Sequence, residues 1–273
     1  MSATVTGLSA TICPSPDRKF QAGRADPGTG DVTLIGSGWA RTFDWGQPAW
    51  LGSAAFWVEQ TRIRPRPDTY QVGRTLIEET ALCLLGGYGV SEPMATAAFN
   101  AVRDAGLLSE IQTPTVAAIE AVLQIPLDVQ GRRAPVRYRF PAQRARRLAG
   151  AVARIGQNEP SDCWSARELR SWLTQLPGVG LKTASWIVRN LRRSDDVAVI
   201  DIHIRRAGVF AGVFDPDWRL PRDYELFEEA FCAWARHGDV PTADMDACVW
   251  SSLAGLGNAA RTLFGVERLA DLD

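Results

Sequence analysis

Two side chains in this 273-residue sequence stand where nucleophilic chemistry could be done, Lys182 and Asp201. A lysine amine becomes a nucleophile once it loses its proton, and a carboxylate nearby can take that proton or stabilise developing positive charge. Arginine cannot substitute, because its guanidinium does not deprotonate in proteins. The distinction has force here, since 28 of the 30 basic residues are arginine and only Lys19 and Lys182 are lysine. The simpler readings are a phosphate contact for Lys182 and a helix N-cap for Asp201.

The elements around them are legible. Lys182 falls in Leu176-Pro177-Gly178-Val179-Gly180-Leu181-Lys182-Thr183-Ala184, between a helix expected over 165–173 and another over 183–191. Pro177 ends the first helix, and Gly178 and Gly180 permit a tight hairpin whose backbone approaches another surface closely. The N–H groups of the hairpin and of the following helix N-terminus then form a phosphate-sized anion site, which grips a DNA backbone without reading its sequence. As a bare pattern, Pro-Gly-x-Gly also serves plain turns between helices. Asp201 follows the apolar run Val197-Ala198-Val199-Ile200 and is placed to cap the next helix. The 19 positions between Lys182 and Asp201 hold one helix and a return loop, so the chain can bring both side chains to the mouth of one cleft.

The rest of the chain must supply that cleft. Residues 1–48 are rich in Gly, Pro, Asp and Ser, with one β-like stretch over 32–35, and read as an irregular arm that Trp39, Phe43 and Trp45 pin to the body. From Pro48 onward a 3.6-residue apolar period predicts helices over 54–61, 74–85, 93–105, 115–123 and 142–155 before the hairpin, and over 224–236 and 244–256 after it. The chain is expected to be mostly α, with no internal repeat.

Charge is informative by segment. The net charge is -1, with pI about 6.2. Residues 131–206 nevertheless carry +10 and the remainder -11. A cationic middle recruits phosphate backbones through counterion release. A run such as Arg132, Arg133, Arg137, Arg139, Arg144, Arg146 and Arg147 also serves as a solvated face. The five cysteines, Cys13, Cys83, Cys163, Cys232 and Cys248, are scattered without a CxxC pair, which predicts reduced thiols and no zinc site. No apolar run reaches 18 residues, and residues 1–11 lack a signal-peptide pattern, so a soluble, cytoplasmic protein without membrane partners is expected.

The Leu-Pro-Gly-Val-Gly-x-Lys-Thr-Ala hairpin followed by Val-x-Val-Ile-Asp-x-His resembles the helix-hairpin-helix DNA glycosylases. The likeness is clear over about residues 140–208. It extends more weakly to the run from Tyr138 to Leu148 and to Val58-Glu59-Gln60-Thr61. It implies a helix-hairpin-helix glycosylase fold, mostly α: a helical barrel over 49–194 with the hairpin at 176–184, and a second helical bundle built from 195–273 and the short irregular or β arm of 1–48. Lys182 is similar to the nucleophile of the lysine-bearing branches. One of these, the endonuclease-III-like branch, usually adds a four-cysteine iron–sulfur loop near the C-terminus. Here only Cys232 and Cys248 lie in that region, so the cluster is expected to be absent and the 8-oxoguanine-like branch is favoured.

That resemblance implies excision of an oxidised purine from damaged duplex DNA through a lysine Schiff base, with Asp201 assisting and strand cleavage following. It implies DNA contacts from Gly178, Val179, Gly180, His203 and Arg139, with Gln60, or Glu59 beside it, filling the gap left by a flipped base. A packed polar group remains an equal reading of His203, and a helix-end role of Gln60. Trp186, four positions after Lys182, and Trp250 could line a base pocket, although with ten tryptophans most must be core. Eukaryotic 8-oxoguanine enzymes carry a smaller residue at the position of Trp186, which bears on the identity of the base. No cofactor is implied beyond a monovalent cation at the hairpin, and the protein is expected to be a monomer, nucleoid-associated in a bacterium. The competing readings are the same chemistry on another modified base, and a non-catalytic DNA-binding module.

Overall fold

The computed structural model describes residues 30–87, 89–109, 113–256 and 259. Cys13, Lys19 and most of the expected N-terminal arm lie outside the described residues, as does the end of the expected C-terminal bundle. The described residues form two strands and ten helices. The strands β1 (Asp31–Gly36) and β2 (Trp39–Asp44) pair antiparallel across the tight turn at Ser37 and Gly38. Helices α1 (Ala54–Ile63), α2 (Leu76–Leu85), α3 (Glu92–Asp104), α4 (Val116–Gln124), α5 (Pro141–Gln157), α6 (Ala166–Leu173), α7 (Leu181–Arg192), α8 (Ile202–Phe210), α9 (Tyr224–His237) and α10 (Thr242–Leu256) follow.

Local chemistry sets most of these boundaries. Ser53, Thr75, Thr115 and Ser165 each cap a helix by accepting from an N–H in its first turn, and Ser165 and Glu168 complete a capping box. Pro93 and Pro141 occupy first-turn positions, where a missing N–H costs nothing.

Apolar side chains gather into two cores. The first joins α2 to α7, with Phe99, Ile119, Leu123, Leu148, Leu173 and Ile187 fully enclosed. The second joins the β ribbon, α1 and α8 to α10 around Trp45, Trp57, Phe214, Phe227, Phe231 and Trp234. Phe43 and Trp45 are buried there and Trp39 packs against it. Glu229 adds polar anchors, accepting from Ser37 N–H at 2.9 Å and Trp39 Nε1 at 2.8 Å.

The placement of α1 differs from the chain division expected at residue 49. Its buried face, Ala54, Ala55, Trp57 and Val58, belongs to the second core, and Trp234 Nε1 donates to its Ala54 carbonyl at 3.3 Å. Helical periodicity announces a buried face without naming what covers it. The chain therefore crosses between the cores twice, through residues 64–73 and through 193–201.

The first crossing is held by a buried carboxylate. Glu79 Oε2 accepts from Val72 N–H at 3.0 Å and Gly73 N–H at 2.8 Å, while its Oε1 accepts from Asn190 of α7. Truncation would strand the buried Gly73 N–H and the Asn190 side-chain amide in the interior. Glu79→Ala is therefore expected to lower stability by about 3 kcal/mol in urea unfolding; a loss below about 1 kcal/mol would show that water satisfies these donors instead.

Candidate active site

The hairpin forms as its residues dictate. Gly178 has φ of 81°, and a Cβ there would lie 2.4 Å from Arg147 Cδ, so both backbone angle and space demand glycine. Pro177 packs against Gly150 of α5. Val179 is buried in the first core, so its side chain anchors the hairpin and leaves only backbone for an outside contact. Gly180 is the N-cap of α7, is exposed, and supplies no capping side chain; no acidic residue occupies the first turn of α7. The N–H groups of that turn are thus open to an external anion.

Lys182 is the second residue of α7 and lines a cleft of about 1750 Å³ between the two cores. Asp201, only 8% exposed, caps α8: its Oδ1 accepts from His203 N–H at 2.8 Å and Ile204 N–H at 3.0 Å. Asp201 and His203 line the same cleft as Lys182, and so do Trp186 and Trp250. Trp186 sits one turn beyond Lys182, close over Gly86, and Trp250 is partly exposed on α10. The capping bonds of Asp201 both use Oδ1, which leaves Oδ2 available to the cleft.

A family model described as 8-oxoguanine DNA glycosylase matches residues 71–240, from the start of the first core to the end of α9. The chain belongs to the 8-oxoguanine DNA glycosylase family. Among curated relatives, the 8-oxoguanine DNA glycosylase/AP lyase of Metallosphaera sedula is 32% identical over 121 residues, covering 41% of this chain and 57% of the relative. The enzyme of the same name from Fusobacterium nucleatum is 30% identical over 92 residues, covering 33% and 42%. The chain thus spans about half the length of the curated relatives it matches. Of solved structures, the 8-oxoguanine DNA glycosylase of Thermotoga maritima aligns with a TM-score of 0.48 at 19% identity, over 72% of this chain and 86% of that one. The Methanocaldococcus jannaschii 8-oxoguanine glycosylase/lyase, solved with a 15mer DNA containing 8-oxoguanine, aligns at 0.47 and 17%, over 74% and 89%.

Two residues to which the glycosylase resemblance gives DNA contacts do not line this cleft. Gln60 is half-buried on α1, but its neighbour Thr61 is the residue that reaches the cleft. Arg139 lines a separate hollow of about 200 Å³ with Arg132 and Arg137, its guanidinium 4.9 Å from the Phe140 ring centroid. Gly178, Val179 and Gly180 form the turn between α6 and α7. Among the described residues no group of three or more His, Cys, Asp or Glu could hold a metal ion, and no helix is long and apolar enough to cross a membrane.

The sequence reading missed the residues that build the glycosylase-family cleft. Residues 197–200 belong to neither helix nor strand, and the backbone N–H groups of 198–200 are satisfied by side chains. Ala198 N–H donates to Glu228 Oε1 at 3.2 Å, Val199 N–H to Asp246 Oδ2 at 3.1 Å, and Ile200 N–H to the Tyr224 hydroxyl at 3.2 Å; that hydroxyl donates to Ala198 O at 2.9 Å. Asp246 also accepts from Arg189 of α7 at 2.5 Å, and burial still pushes its carboxyl up to about 6. Asp244, on the same helix as Asp246, accepts from Tyr70 at 2.8 Å and pairs with Arg66 and Arg193, each at 3.1 Å. Burial, reinforced by Asp244, holds the Tyr70 phenol well above its ordinary range. A faint signal existed for Asp244 and Asp246, which are the acids of the otherwise largely apolar α10.

His203 is the histidine of the cleft. Burial holds its imidazole below the ordinary 6.5, the Asp201 carboxylate opposes that shift, and Arg206 and Lys182 add to it. Its Nδ1 is buried with no hydrogen-bond partner among the described residues. The folded protein therefore binds the proton less readily than the unfolded chain. Above the unfolded value both states are neutral and no penalty applies; as pH falls from 6.5 toward the lowered folded value, stability is lost. An NMR titration is expected to place His203 below 6.5. A midpoint above that value would show that the carboxylate dominates the site.

Proposed function

We propose that the protein is a DNA glycosylase with lyase activity that removes 8-oxoguanine from duplex DNA, using Lys182 as nucleophile and Asp201 as its electrostatic partner. The observation that carries this reading is the opening of Lys182 and Asp201 onto one cleft beside the hairpin, in a chain of the 8-oxoguanine DNA glycosylase family.

Neutral Lys182 Nζ attacks C1′ of the lesion sugar as the N9–C1′ bond breaks, and the bonding pair leaves with the base, which takes up a proton. Positive charge grows on the sugar in that step, and the Asp201 carboxylate stabilises it. Loss of a proton from nitrogen and opening of the C1′–O4′ bond, with O4′ protonated, yield the Schiff base. Loss of a C2′ proton then expels the 3′ phosphate by β-elimination. Electrons balance without an oxidant or reductant, so no redox cofactor is needed.

The remaining groups bind. Backbone N–H groups at Gly178 and Gly180 and the first turn of α7 suit a phosphate, where a monovalent cation at the hairpin would also fit, and His203 suits a second phosphate. Trp186 and Trp250 offer stacking surfaces for an extruded base. Duplex DNA bearing the lesion is the proposed partner, bound by a monomer. A panel of lesion duplexes distinguishes 8-oxoguanine from another modified base.

Borohydride reduces the Schiff base to a stable amine, so wild type is expected to form a covalent adduct with an 8-oxoguanine duplex and Lys182→Gln none. Adduct formation that persists in Lys182→Gln would refute the assignment. Asp201→Asn is expected to slow excision by about 10²-fold or more while duplex affinity holds. Wild-type binding without excision or adduct on any lesion would establish the non-catalytic DNA-binding module.

A further inference from the structure

Glu228 of α9 is bonded to both elements that carry the proposed catalytic pair. Its Oε1 accepts from Ser185 Oγ at 2.7 Å and from Ala198 N–H at 3.2 Å, and its Oε2 accepts from Arg170 of α6. Ser185 lies three residues beyond Lys182 on α7, and Ala198 lies three residues before Asp201 on the segment that leads into α8. Ser185 and Ala198 are fully buried, and Glu228 is 3% exposed. Both arms are short and stiff. On α7, three residues span only about 4.5 Å of helix axis, and the backbone of 198–200 is further held by Tyr224 and Asp246.

We propose that Glu228 is a positioning residue that sets the spacing of Lys182 and Asp201, by holding the nucleophile helix and the carboxylate segment on one oxygen atom. The proposal rests on the roles given to Lys182 and Asp201 above. Its rival is that Glu228 only neutralises Arg170 in the interior. The two differ in a testable way, because a buried ion pair can often be replaced by apolar side chains at little cost, whereas a reactive geometry cannot be relaxed without loss of rate.

The deciding comparison is between two double variants that both remove the charges. Arg170→Met with Glu228→Gln keeps a carbonyl oxygen for Ser185 and Ala198; Arg170→Met with Glu228→Leu keeps none. Single-turnover release of 8-oxoguanine is expected to stay within about threefold of wild type in the first and to fall about 10²-fold in the second, with duplex affinity unchanged in both. Equal rates in the two would overturn the proposal. Should the leucine variant fail to fold, Ser185→Ala decides: it removes one of the two bonds, and the proposal requires about a tenfold slower excision at unchanged affinity. Absence of excision and of borohydride adduct in wild type would defeat the functional reading instead. Crystal structures of the variants then judge Glu228 independently, since the proposal requires a changed Lys182 to Asp201 separation with leucine and an unchanged one with glutamine.

Discussion

Three consecutive backbone N–H groups, those of Ala198, Val199 and Ile200, lie at the seam of two apolar cores with no strand beside them among the described residues. Buried backbone donors must be paired, and each of these is paired by a side chain, from Glu228, Asp246 and Tyr224 respectively. Much else depends on this arrangement. The segment delivers Asp201 to the cleft, and Asp246 and Glu228 reach on to Arg189 and Ser185 of the helix that carries Lys182. The geometry of the site is thereby tied to the interior of the second core rather than to loops at the surface.

The same contacts revise the charge argument. The +10 of residues 131–206 includes Arg170, Arg189 and Arg193, which pair with Glu228, Asp246 and Asp244 from the acidic remainder. Part of the basic excess is thus consumed inside the fold, and part of the acidic excess is its internal counterpart rather than a screen against DNA. The arginines of 132–147 stand differently. Arg132, Arg133, Arg137, Arg139 and Arg146 are exposed and in none of the observed ion pairs, whereas Arg144 is buried and Arg147 packs beneath Gly178. The preference for arginine suits this double use, because a planar guanidinium satisfies a buried carboxylate with several fixed donors.

The hairpin and the caps were legible because their causes are local. Gly178 declares a positive φ, Pro177 a helix end, and Asp201 a cap, and each requirement is met within a few residues of chain. The placements of Gln60 and Arg139 were not. A side chain on α1 reaches the cleft or misses it according to helix phase, and Thr61 has the phase that Gln60 lacks. Arg139 precedes α5 and lines, with Gly89 and Arg132, a smaller hollow that borders the cleft at Val90. The partner core of α1 was equally hidden, since an apolar stripe is the same whichever surface covers it.

The sequence by itself determined the helical composition, the hairpin, and the place of Lys182 beside it in a chain whose one other lysine is Lys19. These follow from periodicity, backbone restriction and residue type, all properties of residues and near neighbours. Only the tertiary structure decided what holds Lys182 and Asp201 to one cleft. Glu228 is 30 residues from Ala198 and 43 from Ser185, and no local rule joins them; the interior does, because a carboxylate taken out of water must find its donors wherever the packed cores bring them.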